Sequence, residues 1–359
     1  KLMFDKIRPL IFKLDPELAH TLAIKALKTN FFLKQKISGD TCLKSDLFGK
    51  EMNNPIGIAA GFDKDAEVYN SLFNLGFGFV EVGTVTPLKQ YGNKKPRVFR
   101  LENDKALINR LGFNNSGSDV VSDRIKKNKP IGILGVNIGP NWNSKDRVGD
   151  YLIGFNKFYK LADYITINIS SPNTENLRDF HNLDELGNLL DKIFSEKKKL
   201  NSDIPIALKV SPDIDNNTVK DISKILIQYK VNALIVSNTT DQNRDNLKDH
   251  QKFQKGGLSG KPLNDISNKL INNFFKNLNG QIKIIGVGGV ECGETAYKKF
   301  LSGANFVQLY TGMVFRGPKI AIKINEELKR ILKEKKIKNY SDIIRSEEHT
   351  SELQSQPDL

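Results

Sequence analysis

Residues 164–178, YITINISSPNTENLR, carry the sharpest alternation in the chain. Ile165, Ile167 and Ile169 are β-branched and interleave with Thr166, Asn168 and Ser170, which is the period of a strand with two unlike faces. Pro172 removes a ladder donor, and Ser171, Asn173 and Thr174 follow the break, so the strand gives way to a loop. Seven further short apolar runs lie near 56–60, 79–83, 133–138, 206–210, 233–237, 283–287 and 306–310, most of them passing into Gly, Asn, Ser or Thr. Helix-length segments separate them. Repeated strand–helix units predict a parallel sheet. Eight units in 359 residues fit one α/β domain, a (β/α)8 barrel over residues 39–340. Residues 97–111 interrupt the repeat and read as a rim insertion with strand character. In a barrel the loops after the strands form the binding rim, which places Asn168, Ser171, Asn173 and Thr174 at a candidate site. The same residues also describe an ordinary capped turn.

Residues 1–38 follow a different period. Met3, Phe4, Ile7, Leu10, Ile11 and Leu14 form a helical stripe. Asp15-Pro16-Glu17 then restarts a helix with a cap, a proline at its first position and an acid in its first turn. Leu18, Leu22 and Ala26 make one row and Ala19, Ala23 and Leu27 the next, with Lys6, Arg8, Lys13, Lys25 and Lys28 among them. No apolar run reaches the roughly 20 residues needed to span a bilayer. A basic amphipathic pair suits a membrane surface or packing against the barrel; the pattern alone leaves both open. No cleavable signal or transit peptide is expected, although the chain starts at Lys1.

Composition narrows the classes. Hydrophobic residues at 39% with 27% charged residues describe a globular protein with a sizeable core. Cys42 and Cys292 are too few and too far apart for a disulfide framework or a zinc site. His20, His181, His250 and His349 show no ligand spacing, so no metal is expected. The net charge of +14 comes from scattered lysines without interleaved aromatics. No recognition module appears, so no nucleic-acid partner is expected. Residues 345–359 resemble the conceptual translation of a sequencing-library adapter and are set aside from fold reasoning.

Three stretches bring chemistry. Residues 56–65, IGIAAGFDKD, end a strand in small residues that let a flat ligand approach, with Lys64 immediately after. Residues 109–115, NRLGFNN, are dense in amides. Glycines cluster at 256–260, at 286–289 and at Thr311-Gly312. The middle group fails the dinucleotide fingerprint, because Glu291 occupies its final glycine position. It fits the phosphate cradle built from the loops after a barrel's last two strands.

The motifs AAGFDKD, VGTVTP, NRLGFNN, GVNIGP, NISSPNT, GGLSG, GVGGV and QLYTG stand in this order along the chain. With them the sequence resembles the dihydroorotate dehydrogenases from about residue 4 to about residue 330. The resemblance implies one FMN per chain and oxidation of (S)-dihydroorotate to orotate in pyrimidine (UMP) biosynthesis. It places the catalytic base at Ser171, with Thr174 or a bound water relaying its proton and Lys64 supplying charge. Serine at this position, rather than cysteine, and the N-terminal extension both point to the quinone-dependent, membrane-associated class. By resemblance, substrate contacts fall on Lys64, Asn109, Arg110, Leu111, Gly112, Phe113, Asn168, Asn173, Asn238 and Thr239. FMN contacts fall on Ala60, Gly61, Phe62, Asp63, Lys64, Thr84, Asn137 and Asn168 in the first half of the chain. In the second half they fall on Lys209, Ser237, Gly260, Gly289, Tyr310 and Thr311. Lys209 would stabilise negative charge on the reduced ring. His20, Arg100 and Tyr310 would line the approach of a membrane quinone, with the helices of residues 1–38 on the membrane surface. The implied location is peripheral, on the cytoplasmic face of a bacterial inner membrane, ahead of the mitochondrial inner membrane.

Overall fold

A computed structural model describes residues 3–29 and 41–345. The expected boundary at residue 38 and most of the tail from 345 lie outside these residues. The described chain opens with two helices, α1 (Met3–Ile11) and α2 (Pro16–Lys28). Asp15 caps α2 as its position predicts: its Oδ1 accepts from the backbone N–H groups of Glu17 at 3.0 Å and Leu18 at 2.9 Å.

Eight parallel strands then close into a barrel: β1 (Ile56–Ile58), β2 (Phe79–Val85), β3 (Ile133–Ile138), β4 (Tyr164–Asn168), β5 (Ile206–Val210), β6 (Ala233–Val236), β7 (Lys283–Val287) and β8 (Phe306–Leu309). They are neighbours in sequence order around the ring, as short right-handed βαβ crossovers require. The apolar runs locate all eight, with ends displaced by at most two residues.

Every strand but β1 serves two cores. Outward residues such as Ile58, Val80, Val136, Ile165, Ile167, Leu208 and Leu234 pack under the helices. Inward residues Phe79, Ile133, Tyr164, Ala207, Ile235, Ile285 and Phe306 fill the lower barrel. Leu47 and Met52, from the hairpin of strands Ser45–Leu47 and Lys50–Met52, join the inward cluster and plug the N-terminal end. Higher in the barrel the interior turns polar, with Glu81, Asn137, Thr166, Asn168, Lys209 and Gln308 all buried. Polar residues at inward positions of buried strands need partners, and here they lie beneath the rim.

The rim insertion is a hairpin of strands Val98–Leu101 and Ala106–Asn109. It gains a third strand, Gly257–Gly260, paired antiparallel to Ala106–Asn109, in a stretch that the sequence marks only as a glycine cluster. Close approach explains its glycines: a Cβ on Gly257 would collide with the Thr239 side chain. The hairpin also receives α2, since the Arg97 guanidinium donates to the Glu17 carboxylate at 2.6 and 3.1 Å. Ile24 and Leu27 bury the inner face of α2, and Arg8 ties α1 to the Phe315 carbonyl at 3.1 Å. Ile7, Leu10, Leu14, Leu18 and Leu22 are left exposed, Leu10 at 69%. No described helix is long and apolar enough to cross a membrane.

Candidate active site

At the C-terminal ends of the strands a cavity opens between the barrel and the three-stranded rim sheet. Ala59, Ala60, Gly61 and Gly83 give it a smooth wall, and Lys64, Asn109, Asn168, Ser171, Asn173, Lys209, Asn238 and Thr239 supply its polar groups. Gly260, Gly288 and Gly289 close one end beside Thr311. Gly289 has φ +73°, and a Cβ there would stand 2.5 Å from that of Asn264, so only glycine fits this cradle.

Strand ends and turns place these groups. Asn168 is the last residue of β4, opposite Lys209 of β5. Ser171, two residues past Ile169, is buried, and its Oγ accepts from the Asn173 N–H at 3.2 Å. Asn173 Nδ2 donates to Asn109 Oδ1 at 3.3 Å, joining the serine loop to the rim hairpin. Arg178 anchors the same loop, donating to the Ser170 carbonyl at 3.4 Å and the Thr239 carbonyl at 3.3 Å. Its guanidinium also pairs with Asp213 at 3.1 Å.

The titratable groups on the cavity wall are Lys64, Lys209 and Tyr310. Burial pulls Lys64 down to about 8 against the opposing pull of Asp65 and Glu17, and its Nζ donates to the Gly61 carbonyl at 2.6 Å. Burial lowers Lys209, while Glu81 deeper in the barrel raises it. Burial raises the Tyr310 phenol, which stays neutral. With two cations and no carboxylate on its wall among the described residues, the cavity suits an anionic, acceptor-rich ligand.

Several residues expected at the site stand behind the wall. Both Asp63 oxygens are engaged, by the N–H groups of Glu67 at 2.7 Å and Val68 at 2.8 Å. This carboxylate fixes a turn instead of facing a ligand, and burial raises it to about 6. Arg110 lies over the Phe99 ring and donates to Gln254, Lys255 and Pro96, stapling the rim sheet. Asn137 is buried below the cavity, where it accepts from Thr84 at 2.6 Å. Thr174 is buried off the wall, and no hydrogen bond joins its hydroxyl to Ser171 among the described residues. Phe62 packs edge-on against Tyr310 and His20, with centroids 5.7 and 5.2 Å away. His20 is thus one ring behind the cavity, 6.2 Å from Tyr310, and burial depresses its imidazole to about 3. Arg100 lies over the Phe12 ring at 4.2 Å and donates to its carbonyl.

Asn114 and Ser170 are among the polar groups at the site that the sequence does not single out. Asn114 lines the cavity and its Oδ1 is buried without a partner among the described residues. The amide density of residues 109–115 was its signal. Ser170 links Asn168 to Asn238 through its hydroxyl; nothing in the strand alternation separates it from the other polar positions.

The dihydroorotate dehydrogenase family model matches residues 42–332. The chain belongs to the dihydroorotate dehydrogenase family. Among its relatives, a protein of Bartonella tribocorum named dihydroorotate dehydrogenase (quinone) is 45% identical over 93% of this chain and 94% of its own length. One of the same name from Mesorhizobium japonicum is 44% identical over 93% of both. Among solved structures, the ligand-free enzyme of Eimeria tenella aligns with a TM-score of 0.88 at 38% identity, covering 96% of this chain and all of that one. The same enzyme in complex with ferulenol gives 0.89 at 38% identity, covering 92% of this chain and 95% of that one. The relatives' alignments extend beyond the family match at residue 42.

Proposed function

We propose that the cavity oxidises dihydroorotate to orotate with FMN as the bound cofactor, and that a quinone takes up the electrons. The observation that carries this is the placement of Ser171, Lys64, Lys209 and five asparagines on one cavity wall in a chain whose relatives bear the quinone-dependent name. The residues fit FMN. The Ala59–Gly61 wall admits a flat ring, and the glycines at 260, 288 and 289, with Thr311 beside them, leave room for a phosphate.

When bound, FMN supplies the hydride acceptor. The chain's own residues supply the rest. Ser171 Oγ takes the acidic proton beside the substrate carbonyl as its own hydroxyl proton leaves, and the Asn173 N–H that it accepts stabilises the transient negative charge on this oxygen. A serine is a weak base without a relay. Because Thr174 is not bonded to Ser171, we assign the relay to water. Lys64 faces the substrate carboxylate, and Asn109, Asn168, Asn173 and Asn238 hold the ring edges, supported by Thr239 and the 111–113 backbone. Lys209 stabilises negative charge on the cofactor ring.

For the acceptor half-reaction we assign the approach to the seam between the N-terminal helices and the rim. Tyr310 lies on the cavity wall with His20 behind it, and Arg100 stands at Phe12. The exposed leucines of α1 and α2, flanked by lysines, suit the surface of a membrane that carries the quinone. Bacterial relatives favour the cytoplasmic face of an inner membrane.

Anaerobic rapid mixing with dihydroorotate tests the role of Ser171. Ser171→Ala is expected to bind FMN and orotate but to reduce its flavin about 10²–10⁴-fold more slowly, the usual loss on removing a general base. Ser171→Cys should retain part of the rate with a pH profile shifted downward, since a thiol ionises more readily. Parent-rate reduction by the alanine variant at every pH would make Ser171 a turn residue only.

A further inference from the structure

Lys299 is wholly buried, yet it has no place on the cavity wall. It lies on the helix Gly293–Leu301, and its side chain runs beneath β7: a Cβ added at Gly286 would stand 3.1 Å from Lys299 Cδ. Its Nζ donates to Ser267 Oγ at 3.1 Å and to Asn268 Oδ1 at 2.9 Å, both on the helix Asn264–Leu278. No ion pair joins it to a carboxylate among the described residues. Asp265 favours its charge without touching it, but burial prevails and lowers the ammonium to about 7. Charged groups on the neighbouring elements are engaged elsewhere. Glu294 pairs with Lys298 at 4.0 Å, and Glu327 of the helix Ile320–Glu334 accepts from the Gly293 N–H at 2.6 Å. The Tyr340 hydroxyl shares a hydrogen bond with Ser45, and Lys283 is exposed at the start of β7. A buried cation without a counter-charge is costly, and an apolar side chain in its place would avoid that cost.

The partners of Lys299 lead to the glycines of the cradle. Ser267 Oγ donates to the Val287 carbonyl at 2.6 Å, and a Cβ on Gly288 would stand 3.2 Å from Ser267 Cβ. Asn268 Nδ2 donates to Asn264 Oδ1 at 3.2 Å, and Asn264 Nδ2 donates to the Gly289 carbonyl at 3.4 Å. Both carbonyls are thus held toward the helix Asn264–Leu278. A trans peptide sets its N–H opposite its carbonyl, so the Gly288 and Val290 N–H groups face away from that helix. Both residues line the cavity, and neither N–H makes a hydrogen bond among the described residues. Successive free N–H groups of this kind suit an anion.

We propose that Lys299 is the buried counter-charge of the cofactor phosphate, a positioning residue that keeps its proton when FMN is held and that, through Ser267 and Asn268, steadies the peptides at 287–290. The proposal rests on the FMN reading and deepens it. It assigns a cation to a cradle whose own lining residues, Gly260, Gly288, Gly289 and Thr311, carry no charge. A phosphate dianion favours the ammonium, so binding raises this group from its value of about 7 in the free chain. FMN affinity is then full below pH 7, and it weakens as pH rises through 7 until the value in the complex is passed.

The test is proton uptake on flavin binding at pH 8, measured by calorimetry of the flavin-free full chain in two buffers of different ionisation enthalpy. The FMN phosphate is already a dianion there, since its second ionisation lies at about 6. Riboflavin has the same ring and no phosphate, so it reports Lys64 and Lys209 and is subtracted. FMN is expected to bring at least about half a proton more than riboflavin to the parent chain. In Lys299→Met, which keeps most of the length without the charge, that difference should vanish. FMN affinity of the variant at pH 7 should fall at least about fivefold, while riboflavin affinity stays within about twofold of the parent. A lysine that only ties two helices together predicts equal losses for the two flavins and no excess proton in the parent. The proposal is overturned if FMN and riboflavin bring equal proton counts to the parent, if the variant keeps the difference, or if its FMN affinity is unchanged. Should Lys299→Met not fold, the parent's count decides alone: an excess supports the assignment, and equality overturns it. A parent chain that binds no FMN defeats the functional reading itself, whereas one that binds FMN without the excess proton defeats only the assignment of Lys299.

Discussion

Lys64 shows how one side chain can set the conditions under which the site works. Burial brings its ammonium to about 8 in the ligand-free chain, so it is charged below that pH and neutral above it. Binding a carboxylate favours the charged form. Orotate affinity should therefore be flat below about pH 7 and weaken as pH rises through 8, by up to tenfold per unit until the pKa of the complex is passed. Titrations of bound flavin at several pH values check this. Lys64→Met should bind weakly, with that inflection gone; an inflection retained in the variant would place the titration on another group. Lys64, Ser171, Asn168, Asn173 and Asn238 were all legible in the sequence, since each stands where an apolar run breaks into a turn. Glu81 was not. It sits inside the run FVEVG, and only closure of the barrel shows that this position faces inward onto Asn137, Tyr164 and Gln308. Asp63 and Arg110 misled for the complementary reason: a motif gives neighbours in sequence, but the backbone direction decides which side chains reach the cavity.

At the scale of elements, the strands declared themselves because each must be apolar outward to pack under helices. The Gly257–Gly260 strand stayed hidden because its pairing partner lies about 150 residues away and glycine has little strand preference. The docking of α2 is likewise a long-range feature. Burial alone would raise the Glu17 carboxyl, but Arg97 and Lys95 outweigh it and hold the group below its ordinary range. A depressed carboxyl contributes stability above its unfolded pKa, and that contribution is lost as pH falls through the folded value. Glu17→Ala should loosen α2 by about 1–2 kcal/mol, a value tempered by partial exposure of the pair. Arg97 keeps the Tyr91 and Asn93 carbonyls as partners, so the barrel should remain folded. Amide exchange in α2 at neutral pH should quicken roughly 5–30-fold while β4 and β5 stay protected. Unchanged exchange in α2 would show that Ile24 and Leu27 hold the helix by themselves.

For the molecule as a whole, the proposed function divides the labour between the barrel and the helical pair. On that proposal dihydroorotate chemistry needs only the cavity, whereas a lipid-soluble acceptor needs the leucine-rich face. Leu10, Leu18 and Leu22 are exposed, so replacing them with serine should leave the fold intact. The triple variant should lose vesicle binding and turnover with a long-chain quinone while its flavin is still reduced by dihydroorotate at the parent rate. Retained vesicle binding would move the lipid contact elsewhere. The proposed function couples dihydroorotate oxidation to a quinone through a bound flavin within one chain, and a single anaerobic experiment on the purified full chain tests it. Addition of dihydroorotate should bleach the flavin absorbance, and a quinone analogue added next should restore it, while NAD or fumarate should not. A chain that carries no flavin, that is not bleached by dihydroorotate, or that is reoxidised by NAD or fumarate but not by the quinone would contradict the account.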